Sequence, residues 1–250
     1  MSTDYKIIKI DQAGEADVTR ERNIIPNYTF QVNYSNWSKI NKVSQVYDMP
    51  IEFCFFRKDN GRIKGEVLSY EKEYGPLALK EEDSQKKLMQ FLNASDSKQN
   101  IELKKYLKDQ GQTEPAIITS DGFLINGNRR KMALQELYEE TGDMSFKKIK
   151  VCILPGRNEK ERPTPELIAL LEHRLQSRQE GRSEYTNMNK ALTAKQSLAN
   201  DVMLETLLAD DPAFASKDPK EFKKNKELFE SRYLKPLALM DQYLEFNGIP

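Results

Sequence analysis

Ile125-Asn126-Gly127-Asn128-Arg129-Arg130-Lys131-Met132-Ala133-Leu134 is the stretch on which the reading of the fold turns. Phe123-Leu124-Ile125 reads as a strand and Asn126-Gly127-Asn128 as a glycine corner. Met132, Ala133, Leu134, Leu137 and Tyr138 then give the apolar stripe of a helix that Gly142 ends. A strand, a glycine corner and a helix mouth in succession suit an anion. The first amides of a helix lack intrahelical acceptors, the peptide dipoles leave partial positive charge there, and glycine lets a ligand approach the backbone. Arg129 and Arg130 add forked donors that match phosphate oxygens in shape. Their charge opposes the helix dipole by about 0.3 to 1 kcal/mol each, so a phosphate is the expected compensation.

Upstream, Pro115 to Thr119, Ser120-Asp121-Gly122 and Phe123 to Ile125 predict a tight hairpin around Asp-Gly. Glu81 to Leu92 and Ile101 to Leu107, the latter stopped by Gly111, have the spacing of surface helices. Met49 to Phe56 reads as a strand, Lys58-Asp59-Asn60-Gly61 as a turn, and Arg62 to Tyr70 as a second strand or an exit into loop. Residues 1–48, with a short alternating start at Tyr5 to Ile10 and a polar stretch through Trp37, read as an N-terminal arm or extension. Downstream, Phe146 to Leu154 alternates as a strand closed by Pro155-Gly156. Beyond Pro163 and Pro165 the pattern is helical, over about 165–178, 184–209 and 220–246, the last broken at Pro236. The expected domains are 49–160, α+β, and 161–250, all-α, with continuation past residue 250 left open.

The chain of 250 residues carries 39 Lys plus Arg against 39 Asp plus Glu, so no net positive field draws it to nucleic acid. A nucleic-acid role would rest on a local patch, such as Lys217 to Lys226 with Lys220, Lys223 and Lys224. No apolar run spans a bilayer and the N-terminus lacks the apolar core of a signal peptide, so the expected location is cytoplasmic, without a membrane partner. Cys54 and Cys152 lie in apolar runs and read as reduced core thiols. His173 is the single histidine, which excludes His-rich zinc sites.

The order of signals resembles the ParB and sulfiredoxin-like superfamily, with a helical domain like the one that ParB proteins use on DNA. Asn60-Gly61-Arg62-Ile63 resembles the family's Asn-Pro-Arg box, with Gly61 in place of proline. Leu103 to Pro115 resembles its segment that leads through Gly and Pro into a strand. Gly127-Asn128-Arg129-Arg130-Lys131-Met132-Ala133 is similar to the Gly-Glu-Arg-Arg-x-x-Ala phosphate turn, and Glu172-His173-Arg174-Leu175-Gln176 to the Glu-Asn-x-x-Arg box. Asn128 replaces an acid, His173 replaces asparagine and the last arginine is displaced. These departures weigh against hydrolysis more than against nucleotide binding. Neither cysteine lies beside the turn, where a sulfiredoxin's catalytic cysteine would be.

The resemblance implies an α+β fold with a small mixed sheet of ParB/sulfiredoxin type, followed by an all-α, helix-turn-helix-like domain. It implies a nucleoside triphosphate, CTP or ATP, with Mg2+, on Arg62, Gly127, Asn128, Arg129, Arg130 and Arg174, and Glu172 as the metal ligand. On the helix from about 165, Leu167, Leu170 and Leu171 form the buried stripe; Arg174 projects within it and Glu172 lies at its edge. The expected function couples nucleotide binding to DNA binding or self-association, most simply as a dimer. Leu228, Tyr233, Leu237, Leu239 and Met240 offer an alternative use of the last helices, as an oligomer interface. Two other readings stay open: an ATP-dependent phosphotransferase or weak triphosphatase, with Glu172 or Asp121 as base or metal ligand, and a nucleotide-free DNA-binding or partner-binding module.

Overall fold

A computed structural model describes residues 8–9, 16–17, 23–31, 43–155, 163–177, 186–209, 211 and 213–248. The strands are β1 (Ile8–Lys9), β2 (Ala16–Asp17), β3 (Asn23–Gln31), β4 (Val43–Pro50), β5 (Ala116–Ile118), β6 (Leu124–Asn126) and β7 (Lys148–Ile153). The helices are α1 (Lys64–Tyr74), α2 (Glu82–Ser95), α3 (Ser97–Gln110), α4 (Asn128–Thr141), α5 (Pro165–Ser177), α6 (Asn187–Ala199), α7 (Leu204–Ala209), α8 (Pro219–Phe229) and α9 (Lys235–Phe246). The class is mixed α+β. No described helix is long and apolar enough to cross a membrane.

The chain forms two compact units, residues 1–57 with 78–163, and residues 58–77 with 164–250. The segment 58–77, expected in the α+β domain, thus belongs to the helical unit. Of residues 1–48, expected as an N-terminal arm or extension, β3 and most of β4 are strands of the main sheet. The polar stretch through Trp37 lies mostly outside the described residues, as do Gly156, Arg178 and 184–185.

In the first unit the sheet order is β3-β4-β7-β5-β6, antiparallel except for the parallel pair β5–β7. β7 occupies the centre, and Val46, Ile117 and Cys152 meet in register across it. Ile149 and Val151 alternate with lysines and are buried. The strand expected at Met49 to Phe56 is shifted: β4 ends at Pro50, which has no N–H for the ladder, and Ile51–Phe53 form a short 3-10 turn. Phe55 then rejoins the sheet beside β6, its N–H donating to Gly122 O at 2.8 Å and its carbonyl accepting from Leu124 N at 2.9 Å. The hairpin β5–β6 turns at Gly122, whose φ is +91°, with Gly122 N donating to Thr119 O at 2.9 Å. Leu88, Leu92, Leu107, Ile118, Ile125, Met132 and Leu137 are buried, each contributing about 1.5 to 3 kcal/mol on leaving water.

In the second unit, Arg62 to Tyr70 is not a strand. Ile63, Val67 and Tyr70 recur at helical spacing, and Lys64–Tyr74 is α1, with Ile63 and Val67 buried. The helix expected over 184–209 is two helices, because Asn200 closes α6 and Asp201 takes φ +59° in the turn before α7. The expected break at Pro236 is instead a widening. Pro236 has no N–H to give Arg232 and its ring crowds that carbonyl, and the preceding turn, Glu230–Leu234, is a π-helix with Lys235 N bonded to Glu230 O. Phe214, Phe229 and Tyr233 pack ring on ring at centroid distances of 4.8 to 6.2 Å within a core that includes Leu207, Leu208 and Leu237. Tyr233 and Leu237 are therefore core residues rather than parts of an oligomer face, whereas Leu228, Leu239 and Met240 are exposed.

Candidate functional site

Gly127 is the N-cap of α4, with φ +96° and ψ +10°. A Cβ there would lie 2.5 Å from Ala116 Cβ and 3.2 Å from Ala116 Cα, so the corner is packed directly onto β5. The first helical bond runs from Lys131 N to Gly127 O at 2.9 Å. The amides of Asn128, Arg129 and Arg130 precede it and are the ones that helix geometry leaves without an intrahelical acceptor. The first turn holds no acidic residue.

Both arginines are braced by the protein. Arg129 Nε donates to Asn100 Oδ1 at 2.5 Å and Nη1 to Gln99 Oε1 at 3.4 Å, while Asn100 is anchored to Leu92 O and Asn93 O, each at 3.1 Å. Arg130 donates from Nη1 to Glu114 O and from Nη2 to Asn126 Oδ1. All four of these acceptors are neutral atoms, and the bonds orient the guanidiniums. The helices α2 and α3 thus hold Arg129 in place, and the lead into β5 holds Arg130.

Two further polar side chains of this turn are buried. Asn128 is 7% exposed; its Nδ2 donates to Leu124 O at 3.5 Å, and its Oδ1 has no hydrogen-bond partner among the described residues. Lys131 is 6% exposed, with Nζ 3.9 Å from the centroid of the Phe56 ring. Burial pulls its amine from the ordinary 10.5 down to about 8, and the nearby Cys54 thiol acts weakly in the other direction. Lys131 is the residue that the sequence reading left out of the site. Its spacing to Leu134 and Tyr138 puts it on the buried face, and that was the available signal.

Arg62, Glu172 and Arg174 lie together in the second unit, apart in the chain's division from the glycine corner. All three are buried, as are Asn60 and Asn189. Gly61 N donates to Glu172 Oε1 at 3.4 Å and Arg62 N to Asn60 Oδ1 at 3.0 Å. Asn189, near the start of α6 under its Thr186 cap, donates from Nδ2 to Arg62 O at 2.7 Å and accepts from Gly65 N at 3.0 Å. The 60–65 loop is therefore fixed by α5 and α6. Asn189 is a second residue absent from the sequence reading, because nothing in the Thr-x-x-Asn capping pattern distinguishes an exposed amide from a buried one. His173 is half-buried.

Among the described residues, no group of three or more His, Cys, Asp or Glu could hold a metal ion. Glu172 is a single carboxylate, one oxygen of which accepts from Gly61.

The two cysteines are free and buried, and burial pushes both thiols up to about 12. They are core residues and not nucleophiles. Iodoacetamide at pH 8 is expected to leave both unmodified in the folded protein and to alkylate both in denaturant, as read by intact mass.

Comparison with known proteins gave no match. No family model, no curated protein and no solved structure matches this chain.

Proposed function

We propose that this chain is a ParB-like nucleoside-triphosphate-binding protein that holds the phosphates of CTP or ATP, with Mg2+, at the mouth of α4. The carrying observation is a helix N-terminus, opened by a glycine whose Cβ position is filled by Ala116, whose first turn carries Arg129, Arg130 and Lys131 and no acid. A phosphate there would meet the open amides of the first turn and the positive end of the helix dipole, with cationic side chains beside it. Magnesium would neutralise phosphate oxygens when bound.

Binding is favoured over phosphoryl transfer by what the acids do. Asp121 accepts from Thr119 Oγ1 within the hairpin turn, and Glu172 accepts from Gly61 N, so both carry structural bonds. Coupling to DNA is supported by the exposed row Lys220, Lys223 and Lys224 on α8. Self-association is supported by the exposed Leu239, Met240, Tyr243 and Phe246 of α9.

The test is a thermal-shift and calorimetry panel of CTP, ATP, GTP and UTP with and without magnesium. A bound nucleotide at a hundred times its Kd is expected to add about 2.7 kcal/mol to stability. Arg130→Ala is expected to abolish that gain while circular dichroism shows a folded chain. No binding by any of the four nucleotides would overturn the proposal.

A further inference from the structure

Two polar groups on one face of the first turn of α4 lack the partners that buried polar groups ordinarily have. Asn128 and Lys131 are three residues apart, which places them side by side on the helix. Asn128 Oδ1 accepts nothing, and Lys131 makes no hydrogen bond or ion pair among the described residues, its ammonium resting only on the Phe56 ring. Lys131 Nζ lies over the Phe56 ring, 3.9 Å from its centroid. The Phe56 ring that it touches belongs to the segment hydrogen-bonded along β6, which leads into the same corner. A buried acceptor without a donor and a buried cation without an anion are each costly. Their neighbourhood at one helix mouth asks for one ligand that carries both an anionic oxygen and a hydrogen-bond donor.

We infer that Lys131 and Asn128 form a ligand subsite beside the arginines, in which Lys131 Nζ takes a phosphate oxygen and Asn128 Oδ1 accepts from a hydroxyl or amino group of the same ligand. This rests on the phosphate reading of the α4 mouth and makes it more specific. The ligand class is a phosphate ester bearing a hydroxyl or amino group on its organic part, as a nucleotide does and an inorganic polyphosphate does not. Lys131 is the charge anchor for any phosphate, and Asn128 is the residue that separates an ester from the bare anion. At neutral pH the buried amine is charged and poorly hydrated, a state that a bound anion relieves.

Calorimetry with two probes, inorganic pyrophosphate and the best-bound nucleotide of the panel, tests the inference at pH 7. Lys131→Met is expected to weaken both probes by about tenfold or more, the worth of a charge-assisted bond. Asn128→Leu is expected to weaken the nucleotide about fivefold and to leave pyrophosphate unchanged. Lys108→Met, on an exposed lysine of α3, is the control for general charge and is expected to change neither. Equal affinity of Lys131→Met and wild type, an equal loss in Lys108→Met, or a wild type that binds neither probe would each overturn the inference. A wild type that binds pyrophosphate through Lys131 but no nucleotide would overturn the nucleotide reading and the role of Asn128, and would leave the Lys131 anchor standing. Thermal melts of each variant verify that it is folded.

Discussion

Gly127→Ala is expected to destabilise the protein by about 2 to 5 kcal/mol and to abolish phosphate binding at the α4 mouth. Two costs add. An L-residue at φ +96° occupies the left-handed side of the map, at about 1 to 2 kcal/mol. Its methyl would stand 2.5 Å from Ala116 Cβ, a separation that requires β5 or the corner to move, and overpacking of this kind costs about 1 to 3 kcal/mol. Ala116 is fully buried between β7 and β6, so the strand has little room to yield. Urea denaturation of the variant against wild type measures the first effect and pyrophosphate calorimetry the second. Ala116→Gly combined with Gly127→Ala removes the methyl–methyl overlap and is expected to recover part of the loss, leaving the cost of the dihedral. A single variant as stable as wild type would show that the corner is not the rigid element described.

The same corner shows how far the sequence carries. Strand, glycine and helix could be read at Ile125 to Leu134 because local chemistry decides them: glycine for a positive φ, apolar residues at helical spacing, and glycine again at 142 to end the helix. The hairpin at Asp121-Gly122 was legible for the same reason. Where tertiary context decides, the reading failed. Nothing local says that Val43–Pro50 finds β7 as a partner, or that Lys58–Leu77 joins the helices that follow residue 163. The arginine pair was legible as charge, but not as side chains tied to Asn100, Gln99 and Glu114, because those acceptors come from two other segments, α3 and the lead into β5. Lys131 is a partial case: its spacing to Leu134 and Tyr138 puts it on the buried face, but the seat of its ammonium on the Phe56 ring is decided by packing that the local sequence does not show.

That burial sets the second large expectation, that Lys131→Met stabilises the unliganded protein at pH 7 and changes how its stability varies with pH. Lowering the amine from 10.5 to about 8 corresponds to a net cost of about 3 kcal/mol for holding the charged form in the fold. The substitution keeps an apolar contact with the Phe56 ring and removes the charge, leaving a gain of up to about 3 kcal/mol at pH 7. The pH dependence follows from proton counting. Between about 8 and 10.5 the unfolded chain holds the Lys131 proton and the folded chain has lost it, so the lysine's penalty is full below pH 8 and fades as pH rises toward 10.5. The buried thiols work in the opposite sense. Cys54 and Cys152 ionise in the unfolded chain from about 9 but stay protonated in the folded one to about 12, so they lower stability above pH 9. Wild type is expected to gain stability from pH 8 to 9 and to lose it beyond. Lys131→Met should show no such gain, and the difference between the two should shrink toward zero by pH 10.5. An anionic ligand reverses the balance, because it favours the charged amine: phosphate affinity should fall as pH rises through 8 in wild type and stay level in the variant. A lysine that was simply solvated would give neither the stability crossover nor the fall in affinity.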